Sequence, residues 1–490
     1  MASLDPTRPN IVVFLTDDQG YWAMGCAGNR EIRTPTLDRL ACTGIRFARF
    51  FCASPVCSPA RASLLTGRIP SQHGIHDWIR AGNSPIEPDK GGCLIEYLAG
   101  QTGYTDLLAA AGYVCGISGK WHLGDALHPQ KGFTFWETHA AGGGPYYGAP
   151  LVHDGAVYRE PRYVTDVITD NALAFLDGVA ADTRPFYLSL HYTAPHSPWG
   201  RDQHPAELYG EYYDHCPFLS TPVEPRHPWQ INSAPYGDAA SRRGILSGYF
   251  AAVTAADAGM GRIVDWLEAH GLRQNTLIFF TSDNGMNMGH HGIYGKGNGT
   301  FPQNMFDTSV LVPAIISRPG HVPQGAVNDD LLSHYDLLPT LLDYLGLPHP
   351  DADALPGRSF APLLRGEPLR DREHVVVYDE YGPVRMIRSR DWKYVHRYPY
   401  GPHEFYDLAN DPDERHNLID DSTCQRRIVE MKAALDEWFF RYTDPSRDGV
   451  REPVTGKGQL GLAGLAARGE QNFAGDWHYL ADGSKTLRHT

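Results

Sequence analysis

The sequence predicts an α/β fold with a smaller α+β unit at its C-terminus, on three observations. Short β-rich runs alternate with long helical patterns through the first three-quarters of the chain, which is the order of α/β proteins. Those runs are apolar at consecutive positions, as in a sheet covered by helices on both faces. After a stretch rich in Pro, Gly and charge, PDADALPGRSFAPLLRGEPLRDRE at 350–373, the pattern changes to alternating strands and one helix.

The strand runs are NIVVFLT (10–16), PFYLSLHY (185–192), NTLIFFTSD (275–283) and LVPAIIS (311–317). Between them YVTDVITDNALAFLDGVA (163–180) and YFAAVTAADAGMGRIVDWLEAHG (249–271) read as helices, the second closed by Gly271. Beyond the transition, HVVVYDE and VRMIRSRDWKYVHRY read as antiparallel strands with a turn at Arg390-Asp391, and RRIVEMKAALDEWFFRYT (426–443) as a helix. The domains are set at 1–370 and 371–490, the last roughly 30 residues being loop on composition. The Pro- and aromatic-rich connection from Pro217 to Tyr236 is either a lid or an inert insertion. GGGPYYG (142–148) lacks a following Lys-Ser/Thr and is read as an ordinary flexible loop, not a phosphate cradle.

At 490 residues, with 42% hydrophobic and 20% charged residues, the chain is a globular protein larger than one typical core. A net charge of −14 argues against nucleic acid and anionic membranes, which require clustered Lys and Arg. Eight cysteines without CxxC pairs form neither a disulfide framework nor a thiolate zinc site. MASLDPTRPN has no signal-peptide core and no run is long enough to span a membrane. The expected location is cytoplasmic as written, or periplasmic or secreted if an export signal has been trimmed.

The first strand runs into Asp17 and Asp18 in LTDDQG, and NTLIFFTSD ends in Asp283, followed by Asn284 and Gly285. An isolated Asp pair is more often a turn or helix cap. Two strands that both end in oxygen ligands, at the sheet edge where ligands sit, point instead to one hard-cation site. Ligand type leaves Ca²⁺ and Mg²⁺ unseparated. Lys120 and His122 (SGKWHLG), His196 (YTAPHSP) and Lys296 (YGKGNGT) follow strand-like runs, and with the cation describe a pocket for a compact tetrahedral dianion. Cys57 stands in SPVCSPARASLLTG. As a thiolate nucleophile it would need a base such as His122, yet a thiolate is mismatched to an oxygen-ligated cation.

Cys57-Ser58-Pro59-Ala60-Arg61 resembles the modification signature of the formylglycine sulfatases, and LTDDQG, GKWHLG, APHSP, TSDNG, GKGNGT and EFYDLANDPDERHNL resemble that family's blocks, in its order, to about Leu418. The resemblance implies a fold related to alkaline phosphatase: a large mixed β-sheet flanked by helices, with a C-terminal domain of four antiparallel strands and a helix. It implies sulfate ester hydrolysis, on aryl sulfates as well as the natural substrate. A formylglycine-generating enzyme would oxidise Cys57 to an aldehyde, whose hydrate ligates Ca²⁺ (or Mg²⁺) with Asp17, Asp18, Asp283 and Asn284. One hydroxyl of that diol would attack sulfur, and the sulfated hemiacetal would then eliminate sulfate. By motif match Arg61 holds the diol and its loop, while Lys120 and Lys296 bind sulfate oxygens. His122 acts as base for elimination, and His196 contacts the substrate and protonates the leaving alcohol.

HGIHDWIRAGN (73–83) adds Asp77, Trp78 and Arg80, suited to gripping a sugar ring and a second anionic group, so a carbohydrate sulfate is the expected substrate. Trp78 packing in the core is the equal alternative. The rival reactions are phosphonate monoester or phosphodiester hydrolysis within the same superfamily. A glycan-binding protein without turnover and a cysteine hydrolase are the readings from other classes.

Overall fold

Every residue of β1 (Asn10–Thr16) is buried, and its side chains divide with the period of two that a strand imposes. Ile11, Val13 and Leu15 join one hydrophobic cluster, Val12 and Phe14 another, so this strand sits between two cores. Each such side chain contributes roughly 1.5–3 kcal/mol on burial. The computed structural model describes residues 8–369, 377–475, 477–479 and 485–487.

The strands that follow are β2 (Gly44–Phe51), β3 (Val114–Lys120), β4 (Phe135–His139), β5 (Ala149–His153), β6 (Ala156–Glu160), β7 (Phe186–His191) and β8 (Thr276–Ser282). Then come the short pair β9 (Asn287–Met288) and β10 (Tyr294–Gly295), and after it β11 (Leu311–Ser317), β12 (Ala326–Asn328) and β13 (Leu332–Ser333). Apart from β9 and β10, which pair with each other, they form one sheet in the order β12-β2-β11-β8-β1-β7-β3-β4-β5-β6, with β13 also on β2. β8, β1, β7, β3 and β4 are parallel. β11 is antiparallel to both β8 and β2, which makes the sheet mixed. LVPAIIS is buried at every position, so its pattern carries no information about direction, and its proline falls at a register shift against β2.

The predicted helices are Val164–Val179 and Arg242–Ala269, the second beginning earlier than its apolar pattern suggests. They cover one face through Ile168 and Ile263, among others. Gly271 follows the second in left-handed conformation, as expected of a closing glycine. The opposite face carries the helices Cys57–Thr66 and Leu337–Leu345, through Leu64 and Leu338.

β14 (Val377–Tyr381), β15 (Val384–Arg388), β16 (Trp392–Arg397) and β17 (Glu404–Asp407) form a second, antiparallel sheet in sequence order, with the predicted turn between β15 and β16. The helix Gln425–Tyr442 packs on it, Ile428, Leu435 and Phe439 meeting Ile387, Tyr394 and Phe405. The expected boundary between 370 and 371 lies outside the described residues. Buried charge ties this sheet to the first: Lys393 Nζ is 2.5 Å from both Asp307 Oδ1 and Glu414 Oε1, and Arg388 pairs with Asp307 at 3.0 Å.

Composition reads the end of the chain as loop, and two departures are visible. Trp477–Tyr479 pairs antiparallel with Lys485–Leu487. Upstream, the tail doubles back onto residues 74–80: Gln459 N donates to Trp78 O at 2.8 Å and Arg80 N donates to Gln459 O at 2.9 Å. The Gln459 amide donates to Gly74 O at 3.0 Å and accepts from His76 N at 2.8 Å. Among the described residues no helix is long and apolar enough to cross a membrane, and all eight cysteines are unpaired.

Candidate active site

Four adjacent parallel strands deliver chemistry to one edge. β1 and β8 are paired with Thr16 opposite Ser282, so Asp17 and Asp283 leave the sheet side by side. β7 leads into the loop that carries His196, and β3 ends on Lys120, two residues before His122. β1 turns sharply after Thr16, with Asp18 at φ 68, and this lets consecutive aspartates serve the same pocket. The carboxylate oxygens of Asp17, Asp18 and Asp283 lie within 4.8 Å of one another.

Cys57 begins a helix that is buried all round, following the extended residue Val56. Pro59 is tolerated because the first helical turn needs no backbone N–H, and one turn on, Arg61 is aimed at the same edge. Its Nε donates to Asp283 Oδ2 at 2.8 Å and its Nη1 to Lys120 O at 3.0 Å. The proline-flanked setting thus places the cysteine and arginine on a fixed helix start beneath the sheet edge.

Each carboxylate has a cation beside it. Lys120 Nζ is 2.5 Å from Asp17 Oδ2, and Lys296 Nζ is 2.5 Å from Asp18 Oδ1 and donates to Cys57 Sγ at 2.7 Å. Burial, then the neighbouring Asp283, push Asp17 above the usual carboxylate range. Burial also disfavours ionised Asp18 and Asp283 and is the largest single influence on each, but Lys296 with His196 at the first, and Arg61 with Lys120 and Lys296 at the second, together outweigh it and both are held low. Burial would deprotonate Lys296, yet Asp18 and Cys57 hold it well above the ordinary lysine value.

Burial pushes the Cys57 thiol up to about 11 despite both lysines, so it is protonated at neutral pH. Burial, then Lys120, drive His122 well below its normal range, leaving a neutral ring. His122 Nε2 donates to Ile79 O at 2.7 Å, which fixes the tautomer and leaves buried Nδ1 with a lone pair and no partner among the described residues. His196 Nδ1 donates to Ser197 O at 2.7 Å, and its Nε2 lies 3.8 Å from Asp18 Oδ2.

The donor set suits a hard cation. Asp17 Oδ1 and Asn284 Oδ1 are buried without a hydrogen-bond partner among the described residues, at the cluster of Asp17, Asp18 and Asp283. Oxygen donors of this kind, with two valences unspent, match a divalent ion that prefers oxygen. Cys57 Sγ also lies within 4.8 Å of ligand atoms of Asp17 and His196, so an oxygen on this side chain would share the same pocket.

Above the edge lies a cavity of about 500 Å³, lined by Cys57, His122, His196 and Lys296, and on its outer wall by Trp78, Arg80, Asn232, Asn298 and Lys457. Trp78 is half-buried, packing against a core cluster as the core reading expects and also lining the cavity. Asp77 does not line the cavity: it is fully buried and accepts from Tyr381 OH at 2.6 Å. The Pro217–Tyr236 connection supplies Asn232 and Ser233, and it is pinned by Ile231 N donating to Gly299 O at 2.9 Å.

Sequence reasoning missed two parts of this wall. The glycine run read as an ordinary loop puts Gly142 against the catalytic-candidate histidine, where a Cβ would lie 2.2 Å from His122 Cε1 and Nε2. The run of three glycines was itself the signal, because a backbone can stack on a ring only where it has no side chain. Lys457, in the returning tail, carried no signal at all.

The chain matches the family described as Sulfatase over residues 9–347, and the family described as N-sulphoglucosamine sulphohydrolase, C-terminal, over residues 289–439. An N-acetylglucosamine-6-O-sulfatase of Bacteroides thetaiotaomicron is 28% identical, across 93% of this chain and 90% of that protein. Arylsulfatase A of Bos taurus is 31% identical, across 86% and 85%. A solved structure described as a complex with its substrate D-glucosamine-2-N,6-O-disulfate superposes with a TM-score of 0.74 at 25% identity, covering 90% of this chain and 99% of the other. The phosphonate monoester hydrolase of Agrobacterium radiobacter, at 22% identity and a TM-score of 0.67 over 88% and 95%, shares the fold.

Proposed function

The chain belongs to the sulfatase family, and on that premise we propose that it hydrolyses the sulfate ester of a sulfated sugar, using Cys57 oxidised to formylglycine and a resident Ca²⁺. Family membership makes it a sulfuric ester hydrolase. The observation that carries the finer reading is the convergence of four strand ends and one helix start on a cavity of about 500 Å³, the size of a small-ligand site.

Asp17, Asp18, Asp283 and Asn284 would hold the cation together with the modified Cys57, and Ca²⁺ there would draw charge from the sulfate oxygens and lower the nucleophile's pKa. Oxidised by a formylglycine-generating enzyme and hydrated, Cys57 would supply one hydroxyl to attack sulfur and a second that lets sulfate depart afterwards. Lys120 and Lys296 bind the sulfate oxygens, and Lys296 already reaches the Cys57 side chain. Arg61 holds the start of the helix in register with Asp283 and the Lys120 carbonyl. His196, tied down through Nδ1, offers Nε2 as the acid that protonates the leaving alcohol, which matters because alkoxides leave poorly. His122 keeps an Nδ1 lone pair for proton removal, because Ile79 O holds its only ring proton on the other nitrogen. Trp78 and Arg80 receive the sugar.

The test is product release on matched aryl sulfate, aryl phosphonate monoester and sulfated-sugar substrates, after the mass of the Cys57 peptide has been read. Sulfate release should dominate, and Cys57→Ala should lower it by roughly 10⁴-fold or more, as loss of a nucleophile does. Faster phosphonate cleavage by the aldehyde form would overturn the reaction while leaving the site residues in their roles.

A further inference from the structure

We propose that the returning C-terminal tail completes a second subsite in the cavity, at which Lys457 and Arg80 hold a further anionic group, a sulfate on the sugar whose sulfate is cleaved or a carboxylate on the sugar next to it. The proposal rests on the sulfated-sugar reading above and names the charge class of that substrate.

The family matches end at residue 439, yet Gly456 and Lys457 line the cavity with Trp78, Arg80 and Asn298. The tail is held there by contacts to the residues it serves. Trp78 Nε1 donates to Gly456 O at 3.1 Å and Gly458 N donates to Asp77 Oδ2 at 3.0 Å. Gly458 has φ +113, and a Cβ on it would fall 2.6 Å from Arg80 Cβ, so the chain at Lys457 lies flat against the wall. Only a residue without a side chain permits this approach.

Two features make the wall a receptor for a polar, charged group. Arg80 commits Nε to Asp89 Oδ2 at 2.8 Å, and among the described residues its terminal nitrogens make no hydrogen bond. A guanidinium edge of this kind matches sulfate and carboxylate oxygens in pairs. Asn298 is 6% exposed, its Nδ2 donates to Gly456 O at 3.3 Å, and its Oδ1 is buried without a partner among the described residues. Because a carbonyl faces the amide nitrogen, the spare atom is the oxygen, an acceptor for a sugar hydroxyl or N–H. Lys120 and Lys296 sit with the aspartates at the sheet edge, so Arg80 and Lys457 are a separate pair of cations on the outer wall.

The experiment is calorimetric binding in the inert Cys57→Ala protein, with glucosamine 6-O-sulfate, its N-sulfated counterpart, and a disaccharide in which a neighbouring uronate carboxylate replaces the N-sulfate. At least one doubly anionic ligand should bind roughly tenfold or more tighter than the monosulfate, the worth of one charged hydrogen bond. Which ligand gains identifies the anion as sulfate or carboxylate. Lys457→Met should remove the gain, and Lys457→Arg should keep it. Equal affinity across the three ligands, no binding of any, or a gain that survives Lys457→Met overturns the subsite. Sulfate release by the unmutated protein is scored separately, so absent turnover with the gain intact would refute the sulfatase reading and spare the subsite.

Discussion

Two buried clusters in this molecule have nearly the same ingredients and different uses. At the sheet edge, Asp17, Asp18 and Asp283 meet Lys120, Lys296 and Arg61. Between the two sheets, Asp307 and Glu414 meet Lys393 and Arg388. In the second cluster the acids spend their oxygens: Glu414 Oε2 accepts from Asp307 N, Oε1 pairs with Lys393, and Asp307 faces two cations. Asp379 is the exception, with both oxygens unpartnered among the described residues, and burial pushes it well above the ordinary carboxylate value. In the first cluster, by contrast, Asp17 Oδ1, Asn284 Oδ1, Arg61 Nη2 and His122 Nδ1 have no partner among the described residues, beside a cavity. Unspent hydrogen-bonding capacity at an opening separates a site from a staple more sharply than buried charge does.

The largest expected contrast comes from Asp17→Asn, which removes a proposed cation ligand while keeping its shape. Activity should fall by roughly 10⁴-fold, the scale of losing a metal's several kcal/mol of charge stabilisation. The readout that separates a cation site from a general acidic patch is thermal: Ca²⁺ at a hundredfold excess over its dissociation constant should add about 2.7 kcal/mol of stability to the unmutated protein. Asp17→Asn should abolish that gain. A gain that persists in the variant would place the ion elsewhere.

Lys393→Met should do the reverse. It strands Asp307 and Glu414 partly unpaired, and breaking a buried pair costs about 3–5 kcal/mol of stability. Turnover per folded molecule and the Ca²⁺ shift should both be retained. If Lys393→Met instead lowered kcat with little change in melting temperature, the staple would be coupled to the site and the comparison would fail.

The same contrast explains what could be read beforehand. Strands buried at every position were legible, as was the gathering of charged residues at one sheet edge, because LTDDQG, TSDNG and CSPAR put them next to one another in the chain. The mixed sheet came from the resemblance alone, because a strand such as β11, buried on both faces, has no pattern that encodes direction. EFYDLANDPDERHNL stood out as a motif, and in the structure its Glu404 and Glu414 are staples, to Arg397 and to Lys393. Lys457 could not be found, since nothing local links a lysine in a glycine-rich tail to Trp78 far upstream. Its place is fixed by backbone pairing through Gln459, by that residue's amide and by the close approach of Gly458, and none of these has a local pattern that names its distant partner.

Asp77 gives the smallest and most discriminating test, because it is a third kind of buried carboxylate: satisfied, but by neutral donors. It accepts from Tyr381 OH at 2.6 Å, Trp78 N at 2.9 Å and Gly458 N at 3.0 Å. Burial outweighs those bonds and lifts it from 3.8 to about 6. An acid held high in the folded state binds its proton more tightly there than when unfolded. Its contribution is therefore complete below the unfolded value and is lost as pH rises through the folded one. Between pH near 4 and pH near 7 the unmutated protein should lose stability relative to Asp77→Asn, by up to about 3 kcal/mol from a shift of this size. Chemical denaturation of both proteins across that range measures the difference. A flat difference would mean that three neutral hydrogen bonds keep a buried carboxylate as content as a lysine does, and satisfaction alone, without a counter-charge, would then define a staple.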